Sequence, residues 1–242
     1  MPAESARPPL MIATIGLHSS ASTWVFNVAR ELMIATLGEH RVIALFADRM
    51  DQLPDQSEFA GRHVVVKSHF GSTELEAWLT VFDAMMFLSI RDPRDACVSM
   101  SQRFQRPLSK AVEWLSKDCD RLSRLADRGR MLLRYEDRFF DDVVTVESMA
   151  DAIGARLPGS VIETIFARYR TETVRAFTAN FDALPPGRVI QVGAFRMDRV
   201  TQIHEPHIGN AASAKWRDLP SGIQSELTLR FAAFLDRFGY ER

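Results

Sequence analysis

The chain has 242 residues, 46% of them hydrophobic and 25% charged, with a formal net charge of −1. That length suits one large domain with ample apolar sequence for a core, and the charge balance gives no global reason to expect nucleic acid or an acidic membrane as a partner. The cysteines, Cys97 and Cys119, are too few for a disulfide-stapled scaffold and read as free thiols in a reducing compartment.

In chain order, residues 1–10 carry Glu4, Arg7 and three prolines; they lack a signal-peptide core and are expected to fray. An apolar run at 11–16 predicts the first strand, and a helical period follows over 22–37, closed by Gly38. Further strands are predicted at 41–47, 63–68, 85–90 and 131–135. Helices are predicted at 73–82, 94–105 and 109–128, the last ended by Gly129. The most apolar stretch, 84–90, is too short to span a bilayer. Beyond the fifth strand, helices are predicted at 140–153, 159–178 and 220–238, with an apolar stripe from Leu227 to Phe238 read as core. Between them, 180–215 is broken by Pro185, Pro186, Gly187, Gly193, Pro206 and Gly209 and reads as a long functional loop.

Apolar runs alternating with helical segments predict an α/β fold, a central parallel sheet flanked by helices in a single domain over 11–242. In such sheets ligands gather at the carboxyl ends of the strands. His18 to Ser22, Lys67 to His69, Arg91, and Tyr135 to Asp137 all fall there.

The turn after the first strand, Gly16-Leu17-His18-Ser19-Ser20-Ala21-Ser22-Thr23-Trp24, aims backbone N–H groups and a helix dipole at one point, an arrangement suited to phosphate. Set against G-x-x-x-x-G-K-[ST], Gly16 and Thr23 fit, whereas Ala21 replaces the second glycine and Ser22 the lysine, which argues against a nucleotide triphosphatase. The segment resembles the 5′-phosphosulfate loop of the sulfotransferases, a P-loop-like family. Three more segments are similar to that family in the same order. Lys67-Ser68-His69 ends a strand, Arg91 and Ser99 stand eight apart around Asp92-Pro93, and Tyr135-Glu136-Asp137 closes the fifth strand. The likeness runs over 11–140 and resumes loosely at Lys215-Trp216-Arg217.

The resemblance implies transfer of a sulfuryl group from 3′-phosphoadenosine-5′-phosphosulfate (PAPS) to a hydroxyl or amine of a small acceptor, leaving 3′-phosphoadenosine-5′-phosphate (PAP) and requiring no metal. His69 would be the general base, and an imidazole suits proton removal near neutrality. Lys67, on the same strand face, would stabilise developing charge on oxygen. His18, Ser19, Ser20, Ala21, Ser22 and Thr23 would cradle the 5′-phosphate. Arg91 and Ser99, with Lys215 and Arg217 from the late loop, would hold the 3′-phosphate. Trp24 either stacks on adenine or belongs to the core, and Tyr135 lines the adenine side. Glu136 and Asp137 read as structural. His204 and His207 are three apart, but Pro206 argues against a helical metal-ligand face.

Two departures stand out. The family's basic residue is absent at Ser19, leaving His18 as the nearby substitute, and Ala21 stands where glycine is usual. The expectation is a soluble cytoplasmic sulfotransferase without membrane or nucleic-acid partners, its acceptor and oligomeric state left open. A catalytically silent PAP-binding module and a P-loop kinase are the alternatives.

Overall fold

A computed structural model describes residues 9–59, 61–205 and 212–242. Five strands, β1 (Met11–Gly16), β2 (Val42–Phe46), β3 (His63–Ser68), β4 (Met85–Ile90) and β5 (Gly129–Arg134), form one parallel sheet in the order β2-β3-β1-β4-β5. The inner strands β1, β3 and β4 are covered on both faces, so each reads as an almost unbroken apolar run.

Side chains alternate between two cores. Met11, Ala13, Val64, Val66, Met86 and Leu88 pack towards α3 (Thr73–Val81), α4 (Pro93–Phe104), α5 (Leu108–Leu125), α9 (Ser221–Arg230) and α10 (Ala232–Phe238). Ile12, Val65 and Phe87 pack on the other face against α1 (Ser22–Leu37), α6 (Val143–Ile153), α7 (Gly159–Arg168) and α8 (Thr171–Ala179). A short α2 (Gln56–Phe59) precedes β3. By the two-residue period Lys67 shares the face of Val65, and the α1 side is where its ammonium is found.

Several elements differ from the sequence expectation. The helix expected over 159–178 is two helices, broken at Tyr169 and Arg170, and that expected over 220–238 breaks at Phe231. The helix expected from 140 begins at Val143, where Asp142 caps it, because 139–141 is a 3₁₀ turn. Gly38 ends α1 as expected, with φ 89° and its N–H on Ile34 O. Gly129 does not end a helix: α5 passes through a 3₁₀ turn at 126–128, and Gly129 opens β5, where a Cβ would lie 2.8 Å from Leu88 Cδ1. The long loop contains an antiparallel hairpin, β6 (Val189–Val192) and β7 (Phe195–Asp198), and a 3₁₀ turn at Lys215–Asp218. Pro206, His207 and Gly209 lie outside the described residues.

Cys97 and Cys119 are buried free thiols, both pushed up by desolvation. Among the described residues no helix is long and apolar enough to cross a membrane.

Candidate functional site

The loop after β1 is built on close approach. A Cβ on Gly16 would sit 2.2 Å from Ser89 Oγ and 2.5 Å from Ser22 Cβ, so only glycine lets α1 start so near the sheet. Ser20 Oγ donates to Leu17 O at 2.6 Å and lies 2.9 Å from Ser89 Oγ, which makes this buried residue a brace of the loop. Ser19 and Ala21 are left-handed, at φ 65° and 60°. Ala21 therefore keeps the conformation that favours glycine and carries its cost of about 1–2 kcal/mol. It is also the N-cap of α1, and no side chain caps that helix. The first amides of a sixteen-residue helix are thus left to a ligand or water.

Lys67 and His69 come off the end of β3 towards the same loop. Lys67 is buried and its Nζ donates to Thr23 Oγ1 at 2.7 Å; burial lowers its ammonium to about 8. His69 Nδ1 lies 2.6 Å from Gly16 O. A carbonyl only accepts, so Nδ1 carries the hydrogen and the neutral ring keeps its lone pair on Nε2. Burial first, then the nearby His18 and Lys67, hold His69 well below the usual imidazole range. Two residues that no sequence pattern marked fix this segment. Asp48 Oδ1 accepts from Ser68 Oγ and from the N–H groups of His69 and Phe70, and Arg121 donates to Ser68 Oγ and His69 O, each at 2.8 Å.

His18 is held from α5. Its N–H donates to Asp118 Oδ2 at 2.7 Å, its Nδ1 lies 2.6 Å from the same oxygen, and its ring stacks on His69 with centroids 3.9 Å apart. His18, His69 and Asp118 place ligand-type atoms within 4.8 Å of one another. The rings are near-parallel, 23° apart, with His18 Nδ1 on Asp118 and His69 Nδ1 on Gly16 O.

The expected 3′-phosphate residues lie beside the cavity rather than on its wall. Arg91 is buried; it donates to Ser19 O at 3.1 Å and Ala212 O at 2.8 Å, lies 3.8 Å from Asp95, and covers the Tyr135 ring at 4.1 Å. It thereby joins the phosphate loop to the late segment. Ser99 is buried on α4. Asp95 anchors the 3₁₀ turn through the N–H groups of Ala214 and Trp216. Lys215 in that turn is lowered by burial and then by Arg91, while Arg217 pairs with Glu241 at 3.1 Å. Glu136 is structural, accepting from Asp92 N and Tyr240 Oη. Arg103, which sequence reasoning missed, lines the cavity; burial and then Arg91 lower it to about 10, so it stays charged at neutral pH. Only its position near the end of α4 could have suggested it.

These elements line an open cleft of about 970 Å³, a volume that includes the solvent at its mouth. His18, Ser19, Ala21, Ser22, Thr23, Trp24, Lys67, His69 and Tyr135 are on its wall. Ser20, Arg91, Ser99, Lys215 and Arg217 are not. Phe104, Phe140, Tyr169, Val174 and Ile203 supply apolar surface, and His204, kept neutral by burial at about 3, completes the far side. Trp24 packs edge-on to Phe139 in the core at 5.6 Å and also lines the cleft, its Nε1 without a hydrogen-bond partner among the described residues. Ser19 Oγ is likewise buried and unpartnered. Uncapped amides, orphaned donors and two cationic side chains on a wall with no Asp or Glu fit a polyanionic nucleotide.

No protein-family profile and no curated protein matches the sequence. Among solved structures, the chain is similar to mouse sulfotransferase SULT7A1 complexed with PAP, at 13% identity and a TM-score of 0.63, covering 95% of this chain and 84% of that one. It is also similar to retinol dehydratase in complex with androsterone and the inactive cofactor PAP, at 16% identity and a TM-score of 0.55, covering 94% and 82%. The chain has a sulfotransferase-like fold.

Proposed function

We propose that this protein is a sulfotransferase that moves a sulfuryl group from PAPS to a hydroxyl or amine of a small acceptor. The charge of the cleft wall carries the reading: Lys67, Arg103 and an uncapped helix N-terminus line it, and no carboxylate does among the described residues. Such a wall favours a metal-free polyanion and offers no carboxylate ligand to a Mg²⁺-nucleotide, which sets it apart from a kinase. Trp24, Tyr135 and Phe140 offer flat faces to an adenine.

PAPS supplies an activated sulfuryl group, whose sulfur–oxygen bond to the 5′-phosphate breaks as a bond from sulfur to the acceptor oxygen or nitrogen forms. His69 Nε2 takes the acceptor proton, its ring aimed by the Gly16 carbonyl. Lys67 and the first amides of α1 stabilise the negative charge left on the 5′-phosphate oxygen. Arg103 on the cleft wall, with Arg91 and Lys215 adding positive charge from behind it, forms the cationic group to which we assign the 3′-phosphate, and Ser99 and Arg217, also off the wall, belong to the same side.

Calorimetric titration with PAP, ATP–Mg²⁺ and 5′-AMP tests this, followed by transfer of labelled sulfate from PAPS onto phenol and amine acceptors. Selective binding of PAP, weakened in Arg91→Ala, with transfer to an acceptor, is expected. Preference for ATP–Mg²⁺, or no binding, would overturn it. A PAP-binding module without turnover is the second reading, favoured by Ser19 in place of a basic residue; tight PAP binding with no transfer to any acceptor would select it.

A further inference from the structure

Asp118 lies on α5, a hundred residues from the loop it holds, and its side chain is 0% exposed. Oδ2 meets the N–H and Nδ1 of His18, while Oδ1 has no hydrogen-bond partner among the described residues. Among the described residues no lysine or arginine pairs with this carboxylate. Arg121, one turn along α5, attracts it at a distance; its Nε and Nη1 are taken by Glu76, Ser68 and His69, and its Nη2 is buried with no hydrogen-bond partner among the described residues, so it makes no contact with the carboxylate. The rings of Phe70 and Trp114 lie beside His18, with centroids 4.9 and 6.0 Å from it. An ionised carboxylate removed from water requires a countercharge in contact, and the His18 ring is the group placed to provide it.

The stack with His69 sharpens the assignment. Two imidazolium rings 3.9 Å apart repel, so the pair holds at most one charge, and the carboxylate favours placing it on His18. His69 has only the Gly16 carbonyl at its Nδ1, with Lys67 on the same strand face. His18 is on the cleft wall directly before Ser19, the position where the loop lacks a basic residue.

We propose that Asp118 holds His18 as an imidazolium, that His18 supplies the phosphosulfate loop with the cation Ser19 does not, and that its charge reinforces the burial that keeps His69 neutral as the base. Asp118 is then a positioning residue, acting through His18. This deepens the sulfotransferase reading and rests on it.

Ring-nitrogen NMR of the ligand-free protein tests the charge directly, at about pH 7.5, a unit above an ordinary histidine. The expected spectrum has both His18 nitrogens protonated and a neutral His69, with His18 turning neutral in Asp118→Asn. A neutral His18 in the wild type overturns the proposal. In turnover, Asp118→Asn is expected to lower kcat about 10- to 100-fold with PAP affinity within about threefold, and adding Ser19→Lys to it restores kcat, a rescue that a purely structural role would not give. Unchanged kcat, or loss without rescue, overturns it. If Asp118→Asn does not fold, His18→Gln with and without Ser19→Lys makes the same comparison. The NMR arm needs no donor, so a wild type that never transfers sulfate refutes the functional reading and leaves the His18 charge to be judged separately.

Discussion

Asp48 and His69 are tied across neighbouring strand ends: Asp48 Oδ1, just beyond β2, accepts the backbone N–H of His69 at 2.7 Å. The same oxygen takes Ser68 Oγ at 2.8 Å and Phe70 N–H at 3.0 Å, while Arg121 grips the His69 carbonyl from the other side. The imidazole therefore stands on a backbone fixed from two elements. Asp48→Ala leaves those donors unpaired and is expected to cost about 2–3 kcal/mol of stability. A lower midpoint of thermal unfolding and at least about tenfold lower turnover should accompany it, because small misplacements of a base are costly. Asp48→Asn, which keeps an acceptor, should lose less. Wild-type stability and turnover in Asp48→Ala would mean that the loop supports itself.

His69→Ala separates chemistry from binding. The ring's Nδ1 is committed to Gly16 O, and Nε2 is the atom available for proton transfer. Turnover is expected to fall about 10²- to 10⁴-fold while PAP affinity stays within about threefold. Near-normal turnover would remove His69 from the chemistry.

The sheet was legible because β1, β3 and β4 are buried on both faces, and full burial leaves a continuous apolar run in the chain. The helix breaks at Tyr169 and Phe231 were not. No glycine or proline marks them, and the buried residues Ile162, Ile165 and Tyr169 keep a helical period right up to the first break. The hairpin of β6 and β7 has four-residue strands that are largely partly exposed, too short for a two-residue period to show. At the site, the loop, Lys67 and His69 could be found because each sits next to its strand in sequence. Asp48, Arg121, Asp118 and Arg103 act on groups far away in the chain, and nothing in their local sequence records the partner.

Lys67 gives a pH signature with two opposite signs. Burial lowers its ammonium to about 8, from about 10.4 in an unfolded chain. Below about pH 8 both states are charged and the cost of burying the charge is fully present. Between about 8 and 10.4 the unfolded chain binds more protons, so this group's contribution to stability rises with pH, by on the order of 3 kcal/mol. Anion binding runs the other way, because it needs the ammonium. PAP affinity measured by calorimetry is expected to fall as pH rises past about 8. Lys67→Met should bind PAP at least about tenfold more weakly at neutral pH and lose most of that dependence. A dependence unchanged in Lys67→Met would assign it to another group.

Ala21 occupies the left-handed region at φ 60° as the N-cap of α1, on the wall of the cleft. Glycine adopts that conformation without the Cβ clash, and an N-cap tolerates it. Ala21→Gly is therefore expected to relieve about 1 kcal/mol of strain, partly offset by the greater freedom of glycine in the unfolded chain. Ala21→Val, whose branched Cβ fits the region worse, should destabilise by more than 1 kcal/mol on the same physical grounds. Thermal unfolding of the two variants beside the wild type reads the order directly. If valine is tolerated as well as alanine, the loop takes another path in solution; if the order is glycine, alanine, valine, Ala21 keeps the turn that delivers the α1 amides to the cleft.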